Sequence, residues 1–163
     1  MSPTERSNDS DVRLELACFE LEGASYGVDV GQVREISRCP VLVPLPHAPP
    51  LIEGVADLRG TVLPVLDLGR ALGRAPIADP ERARLAVLQA DDLVFGLRVS
   101  PNVEVISVSV GDVEEVPALA AQAGYEAVRA VVRRPDAAPL LVLSLEALLE
   151  RVYRSARSEE EAA

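Results

Sequence analysis

The chain has 163 residues, 48% of them apolar and 26% charged, which suits one compact domain or two small lobes rather than a disordered chain. Its formal net charge of −10 would repel phosphate backbones, and its 3% aromatic content leaves few rings for base stacking, so nucleic-acid binding is disfavoured. No apolar run approaches the roughly 18 residues that a membrane span needs, and the polar first ten residues are unlike a signal peptide. We therefore expect a cytoplasmic protein without direct membrane insertion.

The chain begins with a polar, acidic stretch, residues 1–12, for which we expect a flexible N-terminus. A strand-like run follows at 14–21, and the turn-forming residues 22–25 join it to a second strand. Cys18 alternates with Leu14 and Leu16 in the first strand. We therefore interpret Cys18 as a small buried hydrophobic residue.

The sequence repeats itself. Residues 26–30 (Tyr-Gly-Val-Asp-Val) return as 95–99 (Phe-Gly-Leu-Arg-Val), and Val33-Arg-Glu-Ile36 returns as Val103-Glu-Val-Ile106. Each half carries about five short, β-branched runs separated by turn residues. This pattern is typical of small closed or nearly closed barrels, so we predict two similar β-barrel lobes.

The repeat also suggests boundaries for the two lobes. We predict a first barrel over about 13–73, a proline-rich and charged crossing over 74–83, and a second barrel over about 84–144. Residues 117–124 begin with Pro and end with Gly, which predicts one helical turn.

A closing helix is predicted over 145–153. Its apolar residues follow the spacing of one helical face and comprise Leu145, Leu148, Leu149 and Val152. This stripe favours core packing. Residues 154–163 are charged and small, so we expect a frayed acidic tail.

The most informative local feature is a hairpin within residues 53–68. Two apolar strands meet at Arg59-Gly60, which places a single cation at the turn. Arg offers five donors and a planar face and is enriched among residues that dominate interfaces. Two other interpretations remain: a solvated tip, or an ion pair with Asp57.

Catalytic groups are scarce. The single histidine, His47, sits in a proline-rich stretch away from any recognisable nucleophile motif, and Cys18 and Cys39 are too few for a zinc site. We therefore predict a protein without enzymatic activity, cofactor or metal. Two rival classes are a small hydrolase, which would need a triad built on His47, and a nucleic-acid-binding small barrel, which would need a basic, aromatic face.

These residues resemble the CheW-like chemotaxis coupling proteins. Residues 54–60 (Gly-Val-Ala-Asp-Leu-Arg-Gly) and 63–68 (Leu-Pro-Val-Leu-Asp-Leu) match the strongest signature of that family. The Val-x-Glu-Ile at 33–36 and the proline-rich approach at 44–50 match as well. The resemblance spans roughly residues 13–153.

The resemblance implies a fold and a role. The fold is two five-stranded SH3-like barrels, and the role is a non-enzymatic adaptor between chemoreceptor cytoplasmic tips and the regulatory domain of a CheA-type histidine kinase. By matching motif it assigns partner binding to Arg59, Gly54, Val33 and Glu35, and we add Asp57, which replaces the family's usual Asn. An alternative is a module of a divergent signalling system that binds only one of these partners. Recruitment to receptor arrays is also expected.

Departures from the family pattern concentrate in the second half. Ser100-Pro101 replaces a frequent Val-Asp pair, Ala130 replaces a Gly, and Ser144 replaces the Asp before the last helix. The Leu-Arg-Gly hairpin in the first half is intact. We therefore expect the tighter partner contact to lie in the first half.

Overall fold

The computed structural model describes residues 12–117 and 126–162. Two sequence predictions fall outside this part of the chain: the N-terminal segment 1–12, except for its last residue, and the helical turn over 117–124, except for its first.

The chain divides into two compact units. One contains the described residues of 1–31 and 102–144, and the other contains those of 32–101 and 145–163.

Short alternating runs dominate the described residues, and they form strands as predicted. The eleven strands are β1 Arg13–Leu21, β2 Ala24–Asp29, β3 Val33–Arg38, β4 Ile52–Leu58, β5 Thr61–Asp67, β6 Arg84–Ala90, β7 Leu93–Val99, β8 Val103–Ser109, β9 Val113–Glu115, β10 Val128–Val132 and β11 Leu140–Leu143. They make a six-stranded sheet, β8-β1-β2-β11-β10-β9, and a five-stranded sheet, β3-β6-β7-β5-β4. The mainly β fold is confirmed, but the first sheet has one strand more than predicted because the short β9 pairs with β10.

The two halves of the chain exchange hairpins, so each unit contains strands from both halves. The hairpin β1–β2 belongs to the same sheet as β8 to β11, and the hairpin β6–β7 belongs to the same sheet as β3 to β5. The exchange is reciprocal. The second strand of each hairpin pairs in parallel with the last strand of the other half, Gly96 opposite Val65 and Gly27 opposite Val142.

This exchange shows that the predicted lobes 13–73 and 84–144 are not the two compact units. The repeat itself is present, since β2 and β7 hold equivalent places, as do β3 and β8. The hairpins β1–β2 and β6–β7 are similar, so the strands of either half of the chain could pair with either hairpin. Periodicity specifies which face of a strand is buried but not which neighbour the strand pairs with.

Each unit has its own apolar core. The core of the six-stranded unit comprises Leu16, Cys18, Val108, Val132, Leu140 and Val142. That of the five-stranded unit comprises Ala56, Leu63, Val65, Leu85 and Val87. Cys18 is buried and unbonded to another cysteine, which confirms its interpretation as a small core residue.

Two α-helices follow the last strands of the two halves. Helix α1, Leu68–Ala71, is capped by Asp67, whose carboxylate accepts the Arg70 N–H at 3.1 Å. Helix α2, Leu145–Ala162, buries Leu145, Leu148 and Val152 as the stripe predicts.

The predicted frayed tail from 154 onward is wrong, because α2 continues to Ala162. Residues 154–162 contain no Gly or Pro and are rich in Ala, Arg and Glu, which favour helix. A side-chain pair one turn apart, Arg154 with Glu150 at 3.5 Å, supports the extension.

Candidate functional site

The turn between β4 and β5 presents Arg59 in a strained conformation. Arg59 has φ +51° and Gly60 has φ +85°, so both central residues are left-handed, as a two-residue hairpin with the type I′ twist requires. The Asp57 carboxylate accepts the Gly60 N–H at 3.0 Å. Asp57 therefore stabilises the turn that holds Arg59.

Arg59 forms an ion pair with Glu35. Its Nη2 donates to Glu35 Oε1 at 2.5 Å, and the two side chains are 76% and 28% exposed. The hydrogen bond to Glu35, followed by the negative charge of that carboxylate, raises the pKa of Arg59. The ion-pair partner of Arg59 is Glu35 rather than Asp57, so the predicted pair with Asp57 is wrong. The side chain still lies largely in solvent at the tip of the turn, as the other interpretation expects.

The pair joins the two outer strands of the five-stranded sheet. Glu35 lies on β3 and Arg59 follows β4, and these strands are the first and last of the sheet order. A cavity of about 370 Å³ lies beside the pair. Its lining combines a charged rim with apolar residues and comprises Arg34, Glu35, Leu58, Arg59, Thr61, Leu63, Val87 and Val94.

Gly54 is buried and allows a close approach between two backbone segments. Its φ is +157°, and a Cβ at this position would lie 2.6 Å from the Val43 carbonyl oxygen. Val43 and Val55 exchange two backbone hydrogen bonds, of 2.9 and 2.8 Å, beside it. The β4–β5 register shifts between Ile52 and Gly54, so the glycine stands at a bulge. Gly54 thus holds the exposed segment around Val43 on the sheet.

Val33 begins β3 and is half-buried opposite Leu88 of β6. The register of β3 against β6 shifts between Val33 and Glu35. The structure therefore brings Arg59, Glu35 and Asp57 together at the tip of the β4–β5 hairpin. Gly54 and Val33 lie outside this cluster, on strands β4 and β3.

The sequence did not reveal a buried ionic network in the same unit. Asp67 is fully buried and accepts hydrogen bonds from Arg98 Nε at 3.0 Å and from the Ile77 N–H at 3.2 Å. Glu53 pairs with Arg70 at 2.6 Å and lies 3.9 Å from Arg98. The only signal for this network was the acidic residue before a predicted helix, which does not identify its partners.

Exposed apolar residues near the hairpin were also missed. Val62, directly opposite Asp57 on β5, is 62% exposed, and Val43 is 60% exposed. Val41 and Leu45 are also exposed, on the same segment as Val43, whose backbone approaches Gly54. The sequence did contain an indication of the exposed residues of this segment, because large apolar residues lie between the prolines of 40–50.

The other candidates carry little chemistry. His47 lies exposed in a loop, and the two cysteines are free thiols. Within the described part of the chain, no group of three or more His, Cys, Asp or Glu residues could hold a metal ion. Over the same residues, none of the helices is long and apolar enough to cross a membrane.

Comparison with known proteins identifies the family. Residues 15–153 match the model of the CheW-like domain. The chain belongs to the CheW-like domain family. The resemblance carried by the hairpin and Val-x-Glu-Ile motifs is therefore confirmed.

Relatives in this family agree with the match. The chemotaxis protein CheW of Treponema pallidum is 29% identical over 143 residues, covering 85% of this chain and 84% of that protein. Protein FrzA of Myxococcus xanthus is 36% identical over 105 residues, covering 60% of this chain and 66% of FrzA. The crystal structure of the scaffolding protein TtCheW from Thermoanaerobacter tengcongensis has a TM-score of 0.74 at 25% identity and covers 85% of this chain and 94% of that one.

Proposed function

We propose that this CheW-like protein is a non-enzymatic adaptor that couples the cytoplasmic tips of methyl-accepting chemoreceptors to the regulatory domain of a CheA-type histidine kinase. The observation that carries the proposal is the family match over residues 15–153. Similarity to proteins named chemotaxis protein and scaffolding protein supports it. An adaptor needs no chemistry of its own, because tethering two partners raises their effective concentration.

The partner contact is proposed to centre on the Arg59–Glu35 pair. Arg59 is 76% exposed and keeps N–H donors beyond the one given to Glu35. The cavity beside it has buried apolar residues, Leu63 and Val87, below a charged rim. A partner that places a carboxylate on Arg59 and an apolar side chain in this cavity would combine an Arg anchor with desolvated apolar area.

The tighter contact is proposed to lie in the five-stranded unit, which contains the intact Leu-Arg-Gly hairpin. Charge reversals at Arg59 or Glu35 should therefore cost more affinity for the kinase than reversals at charged positions of the second half, among which Arg98 is a poor comparator. It lies in the same unit as Arg59, and its side chain is 16% exposed and paired with Asp67. Glu104 and Arg129 are exposed in the six-stranded unit, so charge reversals at these two residues are the better comparison for reversals at Glu35 and Arg59.

Reconstitution with a receptor and a kinase tests the proposal. We expect the purified protein to show no ATP turnover alone, to bind each partner, and to change kinase activity only when the receptor is present. Binding to one partner alone would favour the module of a divergent system. ATP turnover that persists through purification, or no association with either partner, would contradict the adaptor role.

A further inference from the structure

The six-stranded unit contains a second polar cavity, of about 340 Å³. Strands β1 and β8 and the segment between β10 and β11 line it. Its charged and hydroxyl-bearing lining includes Arg13, Ser107, Asp112, Arg133, Arg134 and Asp136. Its volume falls within the range of small-ligand sites.

The Arg13 guanidinium is held in place at this cavity. Its Nε donates to Ser107 Oγ at 3.1 Å and its Nη2 donates to the Ser107 carbonyl at 2.9 Å. These bonds use two of the five N–H donors of an arginine. The Ser107 hydroxyl accepts from Arg13, so its own proton is available for a ligand.

A second arginine of the lining, Arg134, is also held by a hydrogen bond. Arg134 Nε donates to the Ala138 carbonyl at 2.9 Å within the β10–β11 connection. Pro135 and Pro139 restrict the backbone of this segment. Neighbouring Arg133 is already paired with Glu114 at 2.9 Å. In the described part of the chain, neither Arg13 nor Arg134 has a carboxylate within ion-pair distance.

The charge at this cavity is unusual for the protein. The whole chain carries −10, yet this cavity holds two hydrogen-bonded guanidinium groups, neither of which forms an ion pair with a carboxylate of residues 12–117 or 126–157. Asp112 and Asp136 also line the cavity and oppose anion binding. Orientation favours the arginines, because a planar fork matches the oxygens of a phosphate or carboxylate with two parallel hydrogen bonds.

We propose that this cavity binds a small dianionic oxyanion, held by Arg13, Arg134 and the Ser107 hydroxyl. The ligand chemistry is a phosphate or dicarboxylate group on a small molecule. The site is independent of the adaptor role proposed above, since none of its residues belongs to the unit that contains Arg59.

The test is titration of the full-length protein with inorganic phosphate and, separately, with succinate, at low ionic strength and followed by amide NMR shifts. We expect shifts centred on residues 106–109 and 133–137, with a dissociation constant of about 1 mM for the preferred anion. The stronger of the two anions identifies the ligand class. No localised shift with either anion at about ten times that concentration would overturn the proposal.

Substitutions separate a built site from general charge attraction. Arg13→Gln and Arg134→Gln should each weaken binding about tenfold, whereas Arg84→Gln, an exposed arginine in the other unit, should leave it unchanged. Arg13→Lys retains the positive charge but loses the planar guanidinium that donates two parallel hydrogen bonds, so it should also weaken binding. Asp136→Asn should tighten it about threefold, because it removes a repulsive charge. Equal effects of Arg84→Gln and Arg13→Gln, or none from Asp136→Asn, would contradict the site.

Discussion

Arg59 and Glu35 are 24 residues apart in sequence, and their side chains meet at 2.5 Å at the tip of the β4–β5 hairpin. One comes from the turn after β4 and the other from β3, the two outer strands of the five-stranded sheet. The pair therefore links the sheet's edges while Arg59 remains 76% exposed. Exposed ion pairs add little to the free energy of unfolding but can anchor an interface.

Arg59→Glu should leave the circular dichroism spectrum and the melting temperature nearly unchanged. It should weaken association with the kinase or the receptor more than tenfold, because it places like charges at the interface. Calorimetric titration against each partner measures the loss. The reversed pair, Glu35→Arg with Arg59→Glu, restores an internal ion pair but inverts its direction, so we expect it to leave partner binding weak.

Arg82→Glu is the matched control, since Arg82 is exposed in the same unit and does not line the cavity beside Arg59. Its effect on affinity should be small. Similar losses for Arg82→Glu and Arg59→Glu would indicate a general charge effect, and rescue of binding by the reversed pair would show that the partner requires the ion pair rather than the cation.

Gly54→Ala should disturb the segment that packs on β4. The added Cβ would lie 2.6 Å from the Val43 carbonyl oxygen at a φ that side chains rarely adopt, so we expect a destabilisation of about 2 kcal/mol. Hydrogen exchange should increase at the Val43 and Val55 amides. Gly111→Ala is the control, because a Cβ there meets only the Ser109 hydroxyl at 3.5 Å. Unchanged protection of Val43 would refute the steric role of Gly54.

Asp67→Asn should be the most destabilising of these substitutions. The amide keeps the shape of the side chain, but among the described residues it leaves the Arg98 guanidinium with only Glu53, at 3.9 Å, as an anionic partner. Breaking a buried ion pair costs about 3 kcal/mol, measurable by urea unfolding. The exposed Asp79→Asn should change little. Equal stability of the two variants would mean that the buried network is not stabilising.

The buried thiol of Cys18 should make stability depend on pH in alkaline solution. Burial raises the pKa of Cys18 from 9.0 to about 11. Between these values the unfolded thiol loses its proton and the folded one keeps it, so the free energy of unfolding falls as the pH rises from 9 toward 11. Cys18→Ala should show a shallower fall than the wild type. Parallel pH profiles for the two proteins would contradict this assignment.

Local patterns in the sequence predicted the elements and the motif residues. Alternation gave the strands, the spacing of Leu145, Leu148 and Val152 gave the last helix, and Arg59-Gly60 marked the hairpin turn. These features depend on residues close together in the chain, where periodicity and turn chemistry act directly.

Long-range pairing could not be predicted in the same way. The sequence suggested Asp57, two residues away, as an ion-pair partner for Arg59, whereas the fold brings Glu35 to it from 24 residues away. Asp67 and Arg98 are likewise 31 residues apart and come from different halves of the chain. The exchange of hairpins between the two halves of the chain has the same cause, since two similar repeats give no local signal that selects a neighbour.

The exchange predicts which fragments can fold. Fragment 13–83, which matches the first half of the repeat, lacks β6 and β7, the neighbours of β3 and β5. Fragment 32–101 has nearly the same length but keeps all five strands of one sheet, and a peptide of 145–162 supplies α2. We expect fragment 32–101 with the 145–162 peptide to show a β-type circular dichroism spectrum and a cooperative urea transition. Fragment 13–83 should show neither, because unpaired strands expose both backbone donors and core residues.

The separated halves 1–83 and 84–163 should recover structure when mixed, since the pairings β1–β8, β2–β11, β3–β6 and β5–β7 all join one half to the other. A cooperative transition in 13–83 alone would show that contiguous lobes form and that the exchanged pairing is not required for folding.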